Sequence, residues 1–120
     1  MHEMALTHDV VDFVLAESAR RGDVEVAAVR LAVGEGRDVI TELFEGLFHY
    51  LTRGTPAADA VISIERIPFR VRCRKCGELF GLDVYDESTW VCPSCDTPRD
   101  YELASGMEFT IDTIEFADSN

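Results

Sequence analysis

Four cysteines, in two pairs of identical spacing, constrain this chain more than anything else in it. Cys73-Arg74-Lys75-Cys76 is followed, after fifteen residues, by Cys92-Pro93-Ser94-Cys95, and the sequence has no other cysteine. A C-x2-C segment can bring two thiolates to one metal ion, and a second segment completes a tetrahedron. This is the spacing of a zinc ribbon. Two disulfides would also satisfy the count, but nothing in the sequence marks the protein as secreted. A thioredoxin-like redox pair needs a single C-x2-C on a βαβ pattern and leaves the second pair unexplained. Four thiolates close the shell of Zn2+ and leave no position for water, so the quartet reads as structural rather than catalytic. Its binding energy then acts as folding energy for the segment.

Length and charge narrow the classes. At 120 residues the chain has room for one domain, or one domain with a small appended module. Its net charge is −12, and Lys75 is its only lysine. That argues against a nucleic-acid footprint and suits attraction to cations or to basic partner surfaces. No apolar run is long enough for a membrane span, and Met1 to Thr7 lacks the features of a secretory signal. With paired free thiols, the expected setting is the reducing cytoplasm.

In chain order, residues 4–20 predict an amphipathic helix with Leu6, Val10, Phe13, Val14 and Glu17 on one face. Arg20 and Arg21 suit its C-terminal end, Gly22 suits its stop, and residues 1–3 precede it as a short tail. Val24 to Val33 predicts a strand whose alternation changes phase at Ala28/Val29, the mark of a bulge or of burial on both faces. A turn at Gly34-Glu35-Gly36 leads to a second helix over 38–52. Asp38 is its N-cap candidate, and Ile40, Leu43, Phe44, Leu47, Phe48 and Leu51 form its stripe. Ala60 to Arg72 predicts a second strand, with a bulge near Glu65-Arg66-Ile67 and an edge position at Pro68. It runs into Cys73. The linker Glu78–Val91 predicts short strands over the metal, and Met107 to Phe116 a third long strand. The fold class is therefore α+β: two helices on a three-stranded sheet, in the order αβαβ–zinc module–β. Residues 1–70 and 105–120 form one domain. Residues 71–104 form a four-cysteine zinc-ribbon module inserted between two strands that can pair.

The other end of the chain carries a second metal signal. His2 is too large for removal of the initiator, so Met1 is expected to remain, and its α-amine then lies beside an imidazole. The Met1 amine, the His2 amide and the His2 ring can chelate one ion through fused rings, an in-plane nitrogen set that suits Ni(II) or Cu(II) better than zinc. Glu3 or another carboxylate can complete the shell. With an amine of pKa roughly 7.7–8.0, binding should weaken in mild acid. Taken alone, a histidine at position 2 is more often just an exposed terminal residue. His8 and His49 lie on the expected helices as surface or packing residues. Arg70, Arg72, Arg74 and Lys75 read first as a solvated strand end that offsets the thiolate charge, and second as a nucleic-acid contact. No Ser/His/Asp set, phosphate loop or open metal triad is readable, so no enzyme is expected.

The opening Met1-His2-Glu3-Met4, the late cysteine quartet, and the closing Gly106-Met107-Glu108-Phe109-Thr110-Ile111-Asp112-Thr113-Ile114-Glu115 occur together and in order. In this the whole chain resembles the HypA family of hydrogenase nickel-incorporation metallochaperones. The resemblance implies nickel at the N-terminus, with His2 as the essential ligand and Met1 and Glu3 assisting. It implies structural zinc on Cys73, Cys76, Cys92 and Cys95. It further implies a carrier that works with a GTPase and helps deliver nickel to the large subunit of nickel-iron hydrogenase and, in some organisms, to urease maturation. Family members usually carry a Gly-Glu-Leu-Ser-type turn with an Asp before the second helix. The turn here, Gly34-Glu35-Gly36-Arg37-Asp38-Val39, is shorter. Asp38 is the nearest match to that additional nickel ligand, in competition with its role as a cap. The residues alone also allow a zinc-ribbon adaptor for protein or nucleic acid, and they leave monomer and homodimer open.

Overall fold

Helical periodicity at the start of the chain becomes α1, Glu3–Arg20, in the computed structural model, which describes residues 3–37, 39–83 and 85–117. Met1, His2 and Asp38 lie outside the described residues, as does the side chain of Glu3. The elements that follow are β1 (Val26–Gly34), a 3-10 turn at Glu35–Arg37, α2 (Thr41–Leu51), β2 (Val61–Ile67) and β3 (Arg70–Cys73). Then come β4 (Leu79–Gly81), a 3-10 turn at Glu87–Thr89, β5 (Tyr101–Ser105) and β6 (Phe109–Phe116). The chain divides into two compact units. One comprises 1–32, 38–65 and 110–120 of the sequence, and the other 33–37 and 66–109.

The first unit holds the two helices and most of a three-stranded sheet in the order β2-β1-β6. The expected α+β arrangement is thus present, with one correction. The strands on either side of the cysteine segment, β2 and β6, do not pair with each other. They occupy the two edges, and β1 lies between them. Residues 31–34 of β1 are all buried. Because neighbouring residues point to opposite faces, this end of β1 is covered on both, the second of the two readings of its phase change.

The seam of α1 is rotated from the expected one. Thr7, Val10, Val11, Val14 and Ser18 are buried, whereas Phe13 is 49% exposed. The spacing is still helical, but two seam positions are polar. The Ser18 hydroxyl donates to the Val24 carbonyl at 2.6 Å, so its burial carries no unmet hydrogen bond. After Arg20 the chain turns through Gly22 (φ 87°), and the amides of Arg21 and Asp23 both donate to the Ser18 carbonyl. That closes the helix end in the left-handed manner Gly permits.

In α2 the buried side is Phe44 and Phe48, with rings 6.5 Å apart, while Ile40 and Leu43 of the expected stripe are exposed. The N-cap position belongs to Ile40, which has no side-chain capping bond, rather than to Asp38. At the other end Thr52 is wholly buried, and its hydroxyl donates to the Phe48 carbonyl at 2.8 Å.

The predicted long strand over 60–72 is two strands in two sheets. Pro68 lacks an N–H to continue a ladder, and the chain leaves the first sheet after Ile67 and enters the second at Arg70. That second sheet, order β4-β3-β5, is antiparallel throughout and belongs to the cysteine unit. Its β5, Tyr101–Ser105, has no counterpart in the sequence-based expectation.

Candidate metal centre

β3 delivers the first cysteine. Val71 and Cys73 point inward and are buried, while Arg70 and Arg72 point outward. Val71 pairs with Phe80 on β4 and Leu103 on β5, and Cys73 pairs with Tyr101. A small core forms from Val71, Cys73, Phe80 and Cys92, with Phe69, Leu82 and Tyr101 packed against it. Phe80 meets Tyr101 edge to face at 5.9 Å between ring centroids. Two of the four buried residues in this core are therefore metal-type ligands.

The two C-x2-C segments fold into the same loop. Cys73 N–H donates to the Glu78 carbonyl at 2.9 Å, and Gly77 N–H to the Cys73 carbonyl at 2.9 Å. In the second loop Cys92 N–H donates to the Thr97 carbonyl at 3.1 Å, and Asp96 N–H to the Cys92 carbonyl at 2.9 Å. The turn residues Gly77 and Asp96 both take positive φ, at 82° and 61°. Each loop also turns an amide onto its first sulfur: Lys75 N–H onto Cys73 Sγ and Ser94 N–H onto Cys92 Sγ, both at 3.4 Å. Such donors hold a sulfur in place and orient it.

The four Sγ atoms all lie within 4.8 Å of one another, with Cys73–Cys95 at 3.7 Å and Cys76–Cys92 at 3.5 Å. Four sulfurs about 2.3 Å from a tetrahedral zinc are about 3.8 Å apart. The residues present therefore fit the ion, and no other group of three or more potential ligands occurs among the described residues. Cys73 and Cys92 are buried, Cys76 and Cys95 exposed, and none is in a disulfide.

The two exposed thiols are driven apart in acidity. The Thr97 hydroxyl, 3.0 Å from Cys95 Sγ, and the Thr97 amide lower Cys95 to about 6. At Cys76 the Glu78 amide pulls downward. The Cys92 sulfur, desolvation and the Cys95 and Cys73 sulfurs outweigh it together and raise the thiol to about 12. Four adjacent thiols cannot all ionise without a cation among them. A divalent ion must displace protons on entering, and its hold weakens in acid.

The basic residues are partly engaged within the unit. Arg72 Nη1 donates to the Gly77 carbonyl at 3.1 Å and ties the first loop to β3. Arg74 Nε lies 3.9 Å from a Glu102 carboxylate oxygen, an exposed and weak pair. His8 is exposed. His49 is half-buried, with Nδ1 3.3 Å from the Ala58 carbonyl, a packing role rather than a ligand. The Thr97 hydroxyl is the contributor that sequence reasoning missed. Its signal was a hydroxyl residue two places after the last cysteine.

The fold and this centre define a two-unit α+β protein with a four-cysteine metal site. A family model described as hydrogenase/urease nickel incorporation, metallochaperone, HypA matches residues 1–116. The chain belongs to the HypA family. A hydrogenase maturation factor HypA from Moorella thermoacetica is 33% identical over 115 residues, spanning 96% of this chain and 98% of its own. One from Dehalococcoides mccartyi strain CBDB1 is 31% identical over 120 residues, spanning 100% and 98%. Among solved structures, the solution structure of the nickel metallochaperone HypA from Helicobacter pylori superposes with a TM-score of 0.63 at 18% identity, over 97% of each chain. A solution structure of a HypA protein gives 0.70 at 19%, over 98% of this chain and 97% of its own. At those identities the likeness speaks for the fold. No helix among the described residues is long and apolar enough to cross a membrane.

Proposed function

We propose that this chain binds Ni(II) at its N-terminus and helps deliver it to a nickel-iron hydrogenase during maturation, with a GTPase as partner, in the cytoplasm. The observation that carries this reading is the match of the metallochaperone family model across residues 1–116, in a chain that opens Met1-His2-Glu3. The ligands are the Met1 amine, the His2 amide and imidazole, and Glu3. Asp38 is an optional further carboxylate. The urease branch of the family description extends the client list to urease maturation. Cys73, Cys76, Cys92 and Cys95 hold structural zinc, which supplies a cross-link for the 71–104 module and no chemistry.

Nickel titration of untagged, zinc-loaded protein tests the reading. The expected result is about one exchangeable nickel per chain, with affinity reduced on the order of 100-fold in His2→Ala, or about 2.7 kcal/mol. An N-terminal tag, which consumes the amine, should weaken binding likewise. Unchanged affinity and stoichiometry in His2→Ala would place nickel elsewhere.

A further inference from the structure

The two cysteine loops are near copies, and the one place where they differ at sulfur has a chemical consequence. Cys76 and Cys95 are the exposed members of the quartet, whereas Cys73 and Cys92 are shut away from solvent. Both exposed sulfurs close loops of the same backbone path, with Cys76 followed by Gly77 and Cys95 by Asp96, each at positive φ. Only Cys95 also has a side-chain hydroxyl against it, Thr97 Oγ1 at 3.0 Å. The matching position in the first loop is Glu78, whose side chain carries no hydroxyl donor. When the quartet holds a metal its sulfurs are thiolates, so the Thr97 hydroxyl is the donor. A hydrogen bond into a thiolate draws its lone pair down and slows its attack on an electrophile.

We propose that Cys76 is the reactive thiolate of the metal-loaded quartet, the site at which soft carbon electrophiles alkylate the protein first, and that Thr97 shields its counterpart Cys95. The inference rests on the reading that the quartet holds zinc. In the step itself the Cys76 sulfur attacks the carbon of an alkyl halide. A sulfur–carbon bond forms, the carbon–halogen bond breaks, halide leaves with the electron pair, and no proton moves. The product is a neutral thioether, a poorer ligand than thiolate, so the quartet opens at its first loop. Cys73 and Cys92 are kept from this reaction by burial.

The test uses the full chain, zinc-loaded, with its zinc content measured first. Limiting iodoacetamide is added, and label at each cysteine is read by peptide mass spectrometry while a chromophoric chelator reports zinc release. Cys76 should be labelled about fivefold faster than Cys95, the factor that one ordinary hydrogen bond of about 1 kcal/mol supplies. Thr97→Val should raise the Cys95 rate until the two are about equal, and Thr97→Ser should keep the bias. Glu78→Thr, which offers a hydroxyl to Cys76 from the other side, should slow Cys76 and reports independently should the Val variant fold poorly. Equal labelling of the wild-type pair, or a bias indifferent to Thr97→Val and Glu78→Thr, overturns the proposal. A wild-type chain that retains no zinc overturns the metal reading beneath it, an outcome the zinc measurement separates from the other two.

Discussion

At Gly34 there is no room for a side chain. A Cβ there would lie 2.0 Å from the Gly106 carbonyl oxygen and 2.5 Å from the Met107 nitrogen, both backbone atoms. The approach is fixed by two short hydrogen bonds, Gly34 N–H to the Glu108 carbonyl and Gly36 N–H to the Gly106 carbonyl, each 2.7 Å. No rotamer change can relieve such a clash, so Gly34→Ala should destabilise the protein by on the order of 3 kcal/mol or more. Gly46 offers the opposite case. It lies within α2 with nothing inside 4 Å of its missing Cβ, and Gly46→Ala should stabilise by about 0.5–1 kcal/mol. Chemical denaturation of both variants checks the pair, and equal effects would mean that the close approach at Gly34 is not maintained in solution. Neither role was legible in the sequence, where Gly34 reads as an ordinary turn residue and Gly46 as an interior position of the second helix. What separates them is backbone from the far end of the chain arriving at one and not the other. The clustering of the four cysteines was legible because their spacing is local and their chemistry has few alternatives. Thr97 was not, because a hydroxyl near a cysteine has many.

At the scale of elements, the sequence placed both long helices and the β1 and β6 strands to within a few residues, and it assigned to the buried side of each helix some large apolar residues that are exposed. Hydropathy placed Phe44 and Phe48 correctly but added Ile40 and Leu43 on α2 and Phe13 on α1, all exposed, and it passed over the buried Val11. The error in α1 has a physical source. Thr7 and Ser18 are part of the seam, and a polar side chain whose hydrogen bond is made internally can be buried at little cost. A scale that scores only apolarity turns the helix away from them. The strand over 60–72 failed for another reason, because a proline can mark either an edge or the exit from a sheet and here marks the exit. The corrected assignment makes a sharp prediction for α2. Phe44→Ala removes a side chain that is 1% exposed and should cost about 3–5 kcal/mol, whereas Leu43→Ala, at 44% exposed, should stay within about 1 kcal/mol. Thermal melts of the two variants would show a large loss in the first alone. The reverse order would mean that Leu43, not Phe44, packs in the core.

Across the whole molecule, charge and metal chemistry are divided unevenly. The helical unit carries 14 of the 23 acidic residues and 4 of the 11 basic ones, a net of −10, while the cysteine unit carries 9 and 7, a net of −2. The negative field is therefore strongest in the unit that contains the N-terminus, which favours the approach of cations there. The cysteine unit has little excess charge and a core too small to sustain it. Its core cluster is Val71, Cys73, Phe80 and Cys92, and two of these four are cysteines. A core of that size does not offset the ordering of about fifty residues without a staple. Zinc on the quartet, as proposed, would supply one, with apparent binding free energies of about 10–16 kcal/mol in small zinc modules. The helical unit has its own apolar core in Val14, Val29, Leu31, Phe44 and Phe48 and no such need. Zinc removal by a strong chelator should therefore expose the Cys73 and Cys92 amides, now bonded to the Glu78 and Thr97 carbonyls, to rapid hydrogen exchange. The amides of Leu31 and Phe48 should stay protected. Hydrogen-exchange mass spectrometry with and without chelator reads both units in one experiment. If the Cys73 and Cys92 amides kept their protection after verified zinc loss, the apolar residues of the module would have to hold it unaided. If all amides lost protection together, the two units would be a single cooperative structure and the metal would stabilise both.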